Sequence, residues 1–477
     1  MPRFERFVGV LLIGLAALGA LLMGLAAAAA IRNPWSTADA TSGSVFGYWD
    51  LLYDTAAPPW SVGVGAAGLG LLLAAVVALI ERRVATRSRA SEDRARMPLA
   101  PKIVMADTRG EYAGPVTVTV LIPAHNEAGC IAETIASLRS QSQQPDRIIV
   151  VADNCSDDTV AIARAAGVGV FESVANTKKK AGALNQVLPG VLAGQGDNDT
   201  VMIMDADTTL DQGFLATAVR RLTDDRALMA VGGLFYGEEG AGLIGQFQRN
   251  EYARYARDIG RRRGRVFVLT GTASIFRPRA LLTVAAERGR TIPGVNGDVY
   301  DTLVLTEDNE LTLAIKSLGG LMISPMQCTV VTEVMQKWRA LWAQRLRWQR
   351  GAVENLGSYG LRPAVMRYWA QQLGIGYGVI AIAAYLLLIV IMLLSLDQWV
   401  WFPFWIFVGL IFVLERVVTV WRGGWRARLL ALTLFPELAY AMFLNLVYVK
   451  GIWDIAVRRQ AGWKDIVQAP AKSGGSA

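Results

Sequence analysis

Imidazole and thiol are scarce in this chain, which has one histidine and three cysteines in 477 residues. Cys130, Cys155 and Cys328 lack metal-ligand spacing and lie outside the apolar segments, so they read as reduced cytosolic thiols. Charge is sparse as well. Charged residues make up 18% of the chain and hydrophobic residues 53%, too apolar a balance for an ordinary soluble enzyme. There is no internal repeat, no long low-complexity segment and no nucleic-acid recognition motif, so the net charge of +8 is not read as a nucleic-acid surface. Lys and Arg stand instead beside apolar segments and in Arg261-Arg262-Arg263, which suits a membrane surface.

Long uncharged runs are abundant. Phe7 to Ile31 can span a bilayer, and Arg3 and Arg6 before it favour a cytoplasmic amino terminus. Its Ala-rich end resembles a signal-peptidase site, but the run is long for a signal peptide. The acidic residues among 32–60 suit an outer loop. Trp60 to Ile80 returns and ends in Glu81-Arg82-Arg83, with Arg87, Arg89, Arg94 and Arg96 beyond, so the next domain is expected in the cytoplasm. Further runs at Tyr368 to Leu396, Trp399 to Val420 and Leu429 to Val449 predict about three more spans. The expected organisation is two spans and an outer loop in 1–84, a cytoplasmic domain in 85–333 and interfacial amphipathic helices in 334–367. A membrane region in 368–457 and a tail in 458–477 follow. Three late spans would put the tail outside, whereas Lys450, Arg458, Arg459 and Lys464 favour the inside. Pro436 leaves a bent or partly re-entrant last segment open. Residues 470–477 are expected to be disordered.

Between the membrane segments, strand-like and helix-like runs alternate, the pattern of an α/β domain with a mostly parallel sheet. The expected strands are Val116 to Ile122, Arg147 to Ala152, Val168 to Glu172, Thr200 to Met204, Leu228 to Phe235 and Val266 to Thr270. Helices are expected at Cys130 to Arg139 and Glu310 to Leu318. From Met335 to Trp348, Trp338, Leu341, Trp342, Arg345 and Trp348 recur at helical spacing among cations, which predicts a helix in the membrane interface. A core-packed helix is the plainer alternative.

Polar clusters gather at strand ends. Val201-Met202-Ile203-Met204 runs into Asp205-Ala206-Asp207, where strand alternation would point both carboxylates the same way. Open α/β sheets bind ligands at that edge. Two carboxylates plus substrate phosphates suit Mg²⁺. Pro123-Ala124-His125-Asn126-Glu127 and Asp153 to Thr159 follow two other strands; either helix capping or contacts to a base and ribose would explain them. For His125, a capping or backbone-bonded imidazole is the expected reading. Lys178-Lys179-Lys180-Ala181-Gly182-Ala183-Leu184-Asn185 lets an ammonium and close backbone approach a diphosphate. Thr306-Glu307-Asp308 precedes a helix that Thr306 could cap, and its acids suit the positive end. In Gln344-Arg345-Leu346-Arg347-Trp348, Gln344, Arg347 and Trp348 share one helix face.

In that order these segments resemble the family 2, GT-A-fold membrane glycosyltransferases, the group containing cellulose, hyaluronan and poly-N-acetylglucosamine synthases. The resemblance runs from about Val116 to Gly351. It implies an α/β GT-A domain inserted between transmembrane helices of the plasma (inner) membrane. Its implied reaction is inverting transfer from a UDP-sugar, with Mg²⁺ or Mn²⁺, to a glycan or lipid acceptor. By the same resemblance Ala124, Glu127 and Asp153 contact uridine and Lys180 contacts the diphosphate. Asp205 contacts nucleotide and metal, and Asp207 ligates the metal. Asp308 is the general base, with Glu307 beside it. Gln344 and Arg347 belong to the donor side; Trp348, and Thr272 in Gly271-Thr272-Ala273-Ser274-Ile275-Phe276-Arg277, belong to the acceptor side. Asn154 stands where many relatives carry a second Asp, which puts base contacts in doubt. Too few residues follow the last span for an appended regulatory domain like that of bacterial cellulose synthases, so cyclic-dinucleotide control through one is not expected. Processive synthesis and export of a β-linked polysaccharide is the leading expectation. Single-sugar transfer to lipid or protein is a rival, and a non-catalytic membrane scaffold is another.

Overall fold

A computed structural model of the chain describes residues 2–32, 40–45, 49–54, 60–109, 115–262, 264–394 and 403–459. The expectations placed on Arg263, Lys464, 395–402 and 470–477, and on much of the outer loop, fall outside them.

The first uncharged run forms α1 (Pro2–Arg32) and the second α2 (Trp60–Ala90), with an antiparallel hairpin of β1 (Ala40–Val45) and β2 (Trp49–Asp54) between them. Then come α3 (Pro101–Asp107), β3 (Thr117–Ala124), α4 (Ile131–Arg139), β4 (Arg147–Ala152), α5 (Thr159–Ala165), β5 (Gly169–Glu172), α6 (Lys179–Leu192) and β6 (Asp199–Met204). After β7 (Thr208–Leu210) and α7 (Phe214–Asp224) lie β8 (Leu228–Gly232), β9 (Leu234–Gly237), α8 (Gly242–Arg261), β10 (Ala273–Phe276) and α9 (Pro278–Glu287). The domain continues through α10 (Glu307–Ser317), β11 (Leu321–Ile323), β12 (Thr329–Thr332) and α11 (Trp338–Tyr359). The last helices are α12 (Met366–Leu394), α13 (Pro403–Thr419), α14 (Gly424–Leu432) and α15 (Phe435–Ala456). Two compact units result: Met1–Arg87 with Met366–Glu415, and Ser88–Val365 with Arg416–Ala477.

In the second unit a seven-stranded sheet runs β11-β8-β10-β6-β3-β4-β5. Its pairs are parallel apart from those of β10, which is antiparallel to β6 and β8. The central strands bury residues on both faces, as in Val201 to Met204, because helices cover the sheet on both sides. β6 beside β3 directs Met204 and Ala124 to the same carboxyl edge.

Two strand expectations need correction. Leu228 to Phe235 is not one strand but two, divided at Gly232-Gly233 where β9 leaves to pair with β12 in a second sheet. Val266 to Thr270 is not a strand, because its backbone bonds side chains instead of a neighbouring strand. Leu269 donates its N–H to the Thr312 hydroxyl at 2.9 Å, and the sheet position next to β6 belongs to Ala273–Phe276.

Three helices among the described residues are long and apolar enough to cross a membrane: Ser61–Ala90, Pro363–Leu387 and Phe435–Ala456. By that length and composition the chain is read as a membrane protein. The expected segment Leu429 to Val449 is interrupted. It falls partly in α14 and partly in α15, with Leu434 at φ +52° between them. Pro436 sits in the first turn of α15, where its missing N–H costs nothing. This helix is also not apolar all round. Buried Glu437 accepts hydrogen bonds from Asn250 at 2.9 Å and Arg254 at 2.6 Å, and Tyr440 packs with Phe247 and Leu341.

Candidate active site

The expected alternation of Asp205 and Asp207 does not hold, because β6 ends at Met204 and the pair lies in a turn. The Thr208 N–H donates to the Asp205 carbonyl at 3.3 Å, and the chain re-enters a strand at Thr208. Asp205 is half-buried, with its N–H on the Thr272 carbonyl at 3.1 Å. Its carboxylate accepts from Lys180 Nζ at 2.5 Å, and the same ammonium lies 3.5 Å from Glu307. Burial would lower the Lys180 pKa, but Asp205 and Glu307 outweigh it and hold the ammonium well above its ordinary value.

Asp308 is on the first turn of α10. Its carboxylate accepts the Asn309 N–H at 2.7 Å and the Gly271 N–H at 3.1 Å. Burial first, then the Glu307 charge, raises Asp308 to about 6, against the pull of Lys180 and the Asn309 N–H. Gly271 is where these groups meet. A Cβ there would lie 3.2 Å from Lys180 Nζ, 3.4 Å from Asp205 and 3.5 Å from Asp308. Lys180, Tyr300, Glu307, Asp308 and Gly271 line one cleft.

Asp207 stands at the open side. Crowding by protein, then the charges of Asp205, Glu127 and Glu333, pushes it up to about 7. Its side chain still reaches solvent, which screens part of the repulsion. Glu127 is raised too, by burial first and with Asp205 and Asp157 adding to it, although the Cys130 thiol bonds it at 3.1 Å. Lys180 pairs with Asp205, but Asp207 and Glu127 lie beside further carboxylates, a setting that fits a divalent ion. Among the described residues no three His, Cys, Asp or Glu side chains form a ready-made cage, so an ion here would need ligands from substrate phosphates as well.

The other expected positions divide. Ala124 is buried at the end of β3, and its carbonyl accepts the Asp153 N–H at 2.8 Å. Asp153 Oδ1 accepts from Asn154, Ser173 and Asn176 at 3.1, 2.7 and 2.8 Å. His125 donates Nδ1–H to the Asp153 carbonyl at 2.5 Å, the backbone-bonded role expected of it. Thr306 occupies the cap position of α10, but its hydroxyl makes no capping bond. It accepts from Asn355 of α11 at 3.1 Å instead. α11 comes this close because residue 351 is glycine; a Cβ there would lie 2.6 Å from the Thr306 hydroxyl. Gln344, Arg347 and Trp348 stand outside the cleft walls around Gly271, and the Arg345 guanidinium carbon lies over the Trp348 ring, 4.2 Å from its centre. Trp338 and Trp342 of the same helix pack edge-on to Phe443 of α15. The Thr272 hydroxyl donates to Thr270 at 2.9 Å.

Tyr300 escaped the sequence reading. It is buried beside Lys180, Glu307 and Asp308, and burial raises its hydroxyl pKa above the ordinary value. Its place is set by Asn185, which accepts the Tyr300 N–H at 2.9 Å and donates to its carbonyl at 2.8 Å. Asn185 was part of the recognised lysine cluster, but its partner lies 115 residues away, so no local pattern announces the pair.

Parts of the chain are similar to known proteins. The sequence model described as "Glycosyl transferase family 2" matches residues 119–284. The poly-beta-1,6-N-acetyl-D-glucosamine synthase of Staphylococcus aureus (strain MSSA476) is 26% identical over 247 residues, covering 50% of this chain and 55% of that protein. The Staphylococcus epidermidis synthase is 24% identical over 261 residues, covering 52% and 57%. The match thus spans little more than half the length of these relatives. Among solved structures, a mannosyltransferase from Pyrobaculum calidifontis in complex with GDP-Man and Mn²⁺ aligns over 80% of this chain and 96% of its own, at 17% identity and a TM-score of 0.47. Glucosyl-3-phosphoglycerate synthase from Mycobacterium tuberculosis aligns over 54% and 84%, at 19% identity and a TM-score of 0.33. The α/β domain, with its mostly parallel sheet, is thus similar over residues 119–284 to glycosyl transferase family 2.

Proposed function

We propose that the chain transfers a sugar from a UDP-sugar, with inversion, to a glycan acceptor, and does so processively to make and export a β-linked polysaccharide. The observation that carries this reading is the meeting of Lys180, Asp205, Glu307 and Asp308 around Gly271 at the carboxyl edge of the sheet. Asp308, poised at about 6, is largely ionised at neutral pH and suited to take the proton of an attacking hydroxyl. Two backbone N–H groups fix its carboxylate. Lys180 supplies a cation for a departing diphosphate, and Asp205 and Glu307 hold it in place until donor binds. Glu127, with Ala124 and Asp153 on the neighbouring loops, forms the side open to uridine. Asp205 and Asp207 would hold Mg²⁺ or Mn²⁺, which when bound neutralises charge on the diphosphate. Gln344, Arg347, Trp348 and Thr272 belong to the acceptor approach and the donor's rim in this reading.

The arginines at the end of α2 support a cytoplasmic catalytic domain in the plasma membrane. The relatives' product makes UDP-N-acetylglucosamine the first donor to test. The purified chain in detergent, given this donor and Mg²⁺, should release UDP and build polymer that grows with time. A product fixed at one added sugar would favour single transfer to lipid or protein. No UDP from any UDP-sugar would remove the reading.

A further inference from the structure

Arg345 occupies a position where the helical pattern calls for an apolar residue. It lies one turn after Leu341, and both are buried, with 1% of Arg345 exposed. A guanidinium taken out of water is costly unless its donors are paired, and a buried ion pair is often no more stable than an apolar substitute. Stability therefore does not explain this one. Its contacts do.

Arg345 Nη2 donates to Glu251 at 3.0 Å and to the Tyr252 hydroxyl at 3.3 Å. Nη1 donates to the side-chain oxygen of Gln344 at 2.6 Å. The guanidinium carbon lies over the Trp348 ring, 4.2 Å from its centre. Glu251 is held from the far side, because the same Oε2 accepts the Tyr440 hydroxyl at 2.6 Å. Tyr440 in turn stacks on Phe247, with centroids 4.8 Å apart and planes 3° from parallel. One connected set thus runs from α15 through α8 to α11. It ends on Gln344 and Trp348, which share a helix face with Arg347.

We propose that Arg345, clamped by Glu251 and Tyr440, is a positioning residue that fixes the Trp348 ring for the acceptor sugar. The clamp rests on the sugar-transfer reading above. Arg345 works through other side chains rather than by touching the reacting atoms. It also gives the buried polar face of α15 a use, since the helix fastens the acceptor side of the site.

The test uses the full chain in detergent with two variants. Arg345→Lys keeps a cation opposite Glu251 but loses the fork to Gln344 and the guanidinium over Trp348. Tyr440→Phe removes a single hydroxyl. For each, UDP affinity, melting temperature and transfer from UDP-N-acetylglucosamine are measured on the same preparation. Arg345→Lys should lose about tenfold or more in transfer, since small misplacement of reactants is costly, while UDP affinity stays within about twofold. Tyr440→Phe should show the same split at about threefold, the size of one hydrogen bond. Wild-type transfer in Arg345→Lys overturns the clamp, as does a loss of UDP binding and melting temperature in parallel with transfer. If Arg345→Lys does not fold, Tyr440→Phe decides, and normal transfer there overturns the clamp. An inert wild type removes the sugar-transfer reading and the clamp with it. An active wild type with unaffected variants removes the clamp alone.

Discussion

Two neighbouring stretches of the sheet's carboxyl edge are equally rich in acids and amides, yet they spend them differently. In the loops after β3 and β4, polar groups are used on one another. Asn126 accepts the Ser156 N–H at 2.7 Å, Asp157 accepts the N–H groups of Ala128 and Thr159 at 3.0 Å each, and the Thr159 hydroxyl accepts the Glu127 N–H at 2.8 Å. Burial would raise the Asp157 carboxyl, but these hydrogen bonds hold it below its usual range. Beyond β6, by contrast, acids face acids. Asp308 is raised by burial and by Glu307, and solvent-facing Asp207 by crowding and by the carboxylates of Asp205, Glu127 and Glu333, with one lysine among them. An acid bonded to backbone N–H groups is part of the fold. An acid held against other acids awaits a cation or a proton, and that strain marks the chemistry.

The sharpest way to break this contrast is to deny the acids a cation. EDTA should abolish UDP release, and Mg²⁺ or Mn²⁺ should restore it; full activity in EDTA would end the metal role of Asp207. Asp207→Asn should give the same loss, yet without metal it should melt no lower than the parent, because it removes a carboxylate the folded state disfavours. The sign follows from the raised pKa. The folded chain holds the Asp207 proton more tightly than the unfolded chain does, so this group's contribution to stability is present at low pH and falls as pH rises through its raised pKa. A clear fall in the metal-free melting temperature of Asp207→Asn at pH 8 would contradict that.

A smaller effect is expected from pH. Asp308 must be ionised to accept a proton, so kcat/KM should decline as pH falls through about 6. A profile flat down to pH 4.5 would exclude a base with this raised pKa. The smallest effect should come from the other stretch. Asp157→Ala removes bonds to two N–H groups and should cost about 1 kcal/mol, a shift of a few degrees, with turnover retained. Turnover lost at an unchanged melting temperature would mean that Asp157 does more than hold the fold.

Much of this was legible in the sequence, and for local reasons. Continuous apolar runs such as Val201 to Met204 define buried parallel strands, and the acids that follow them fall at the ligand edge whichever way the turn goes. The means failed: Asp205 and Asp207 lie in a turn, not on alternating positions of a strand. What stayed hidden depends on distant partners. Val266 to Thr270 has the composition of a strand, but Thr312 takes its backbone bond and Ala273–Phe276 takes its place in the sheet. Tyr300 is placed by Asn185 and Thr306 is held by Asn355, neither at a spacing that periodicity reports. In α11 the aromatic stripe suggested a bilayer surface, whereas at Trp338 and Trp342 it meets Phe443. An aromatic face shows that something covers it without naming what does.

The most direct measurement compares binding and turnover on one preparation of Asp308→Asn. The amide keeps the shape and can still accept the Gly271 and Asn309 N–H groups, but it cannot take a proton. UDP should bind within about twofold of the parent, because its expected contacts lie on other elements, while transfer from UDP-N-acetylglucosamine falls by about 10²- to 10⁴-fold. Transfer near the parent rate, with UDP bound as tightly, would contradict the assignment of Asp308 as the base.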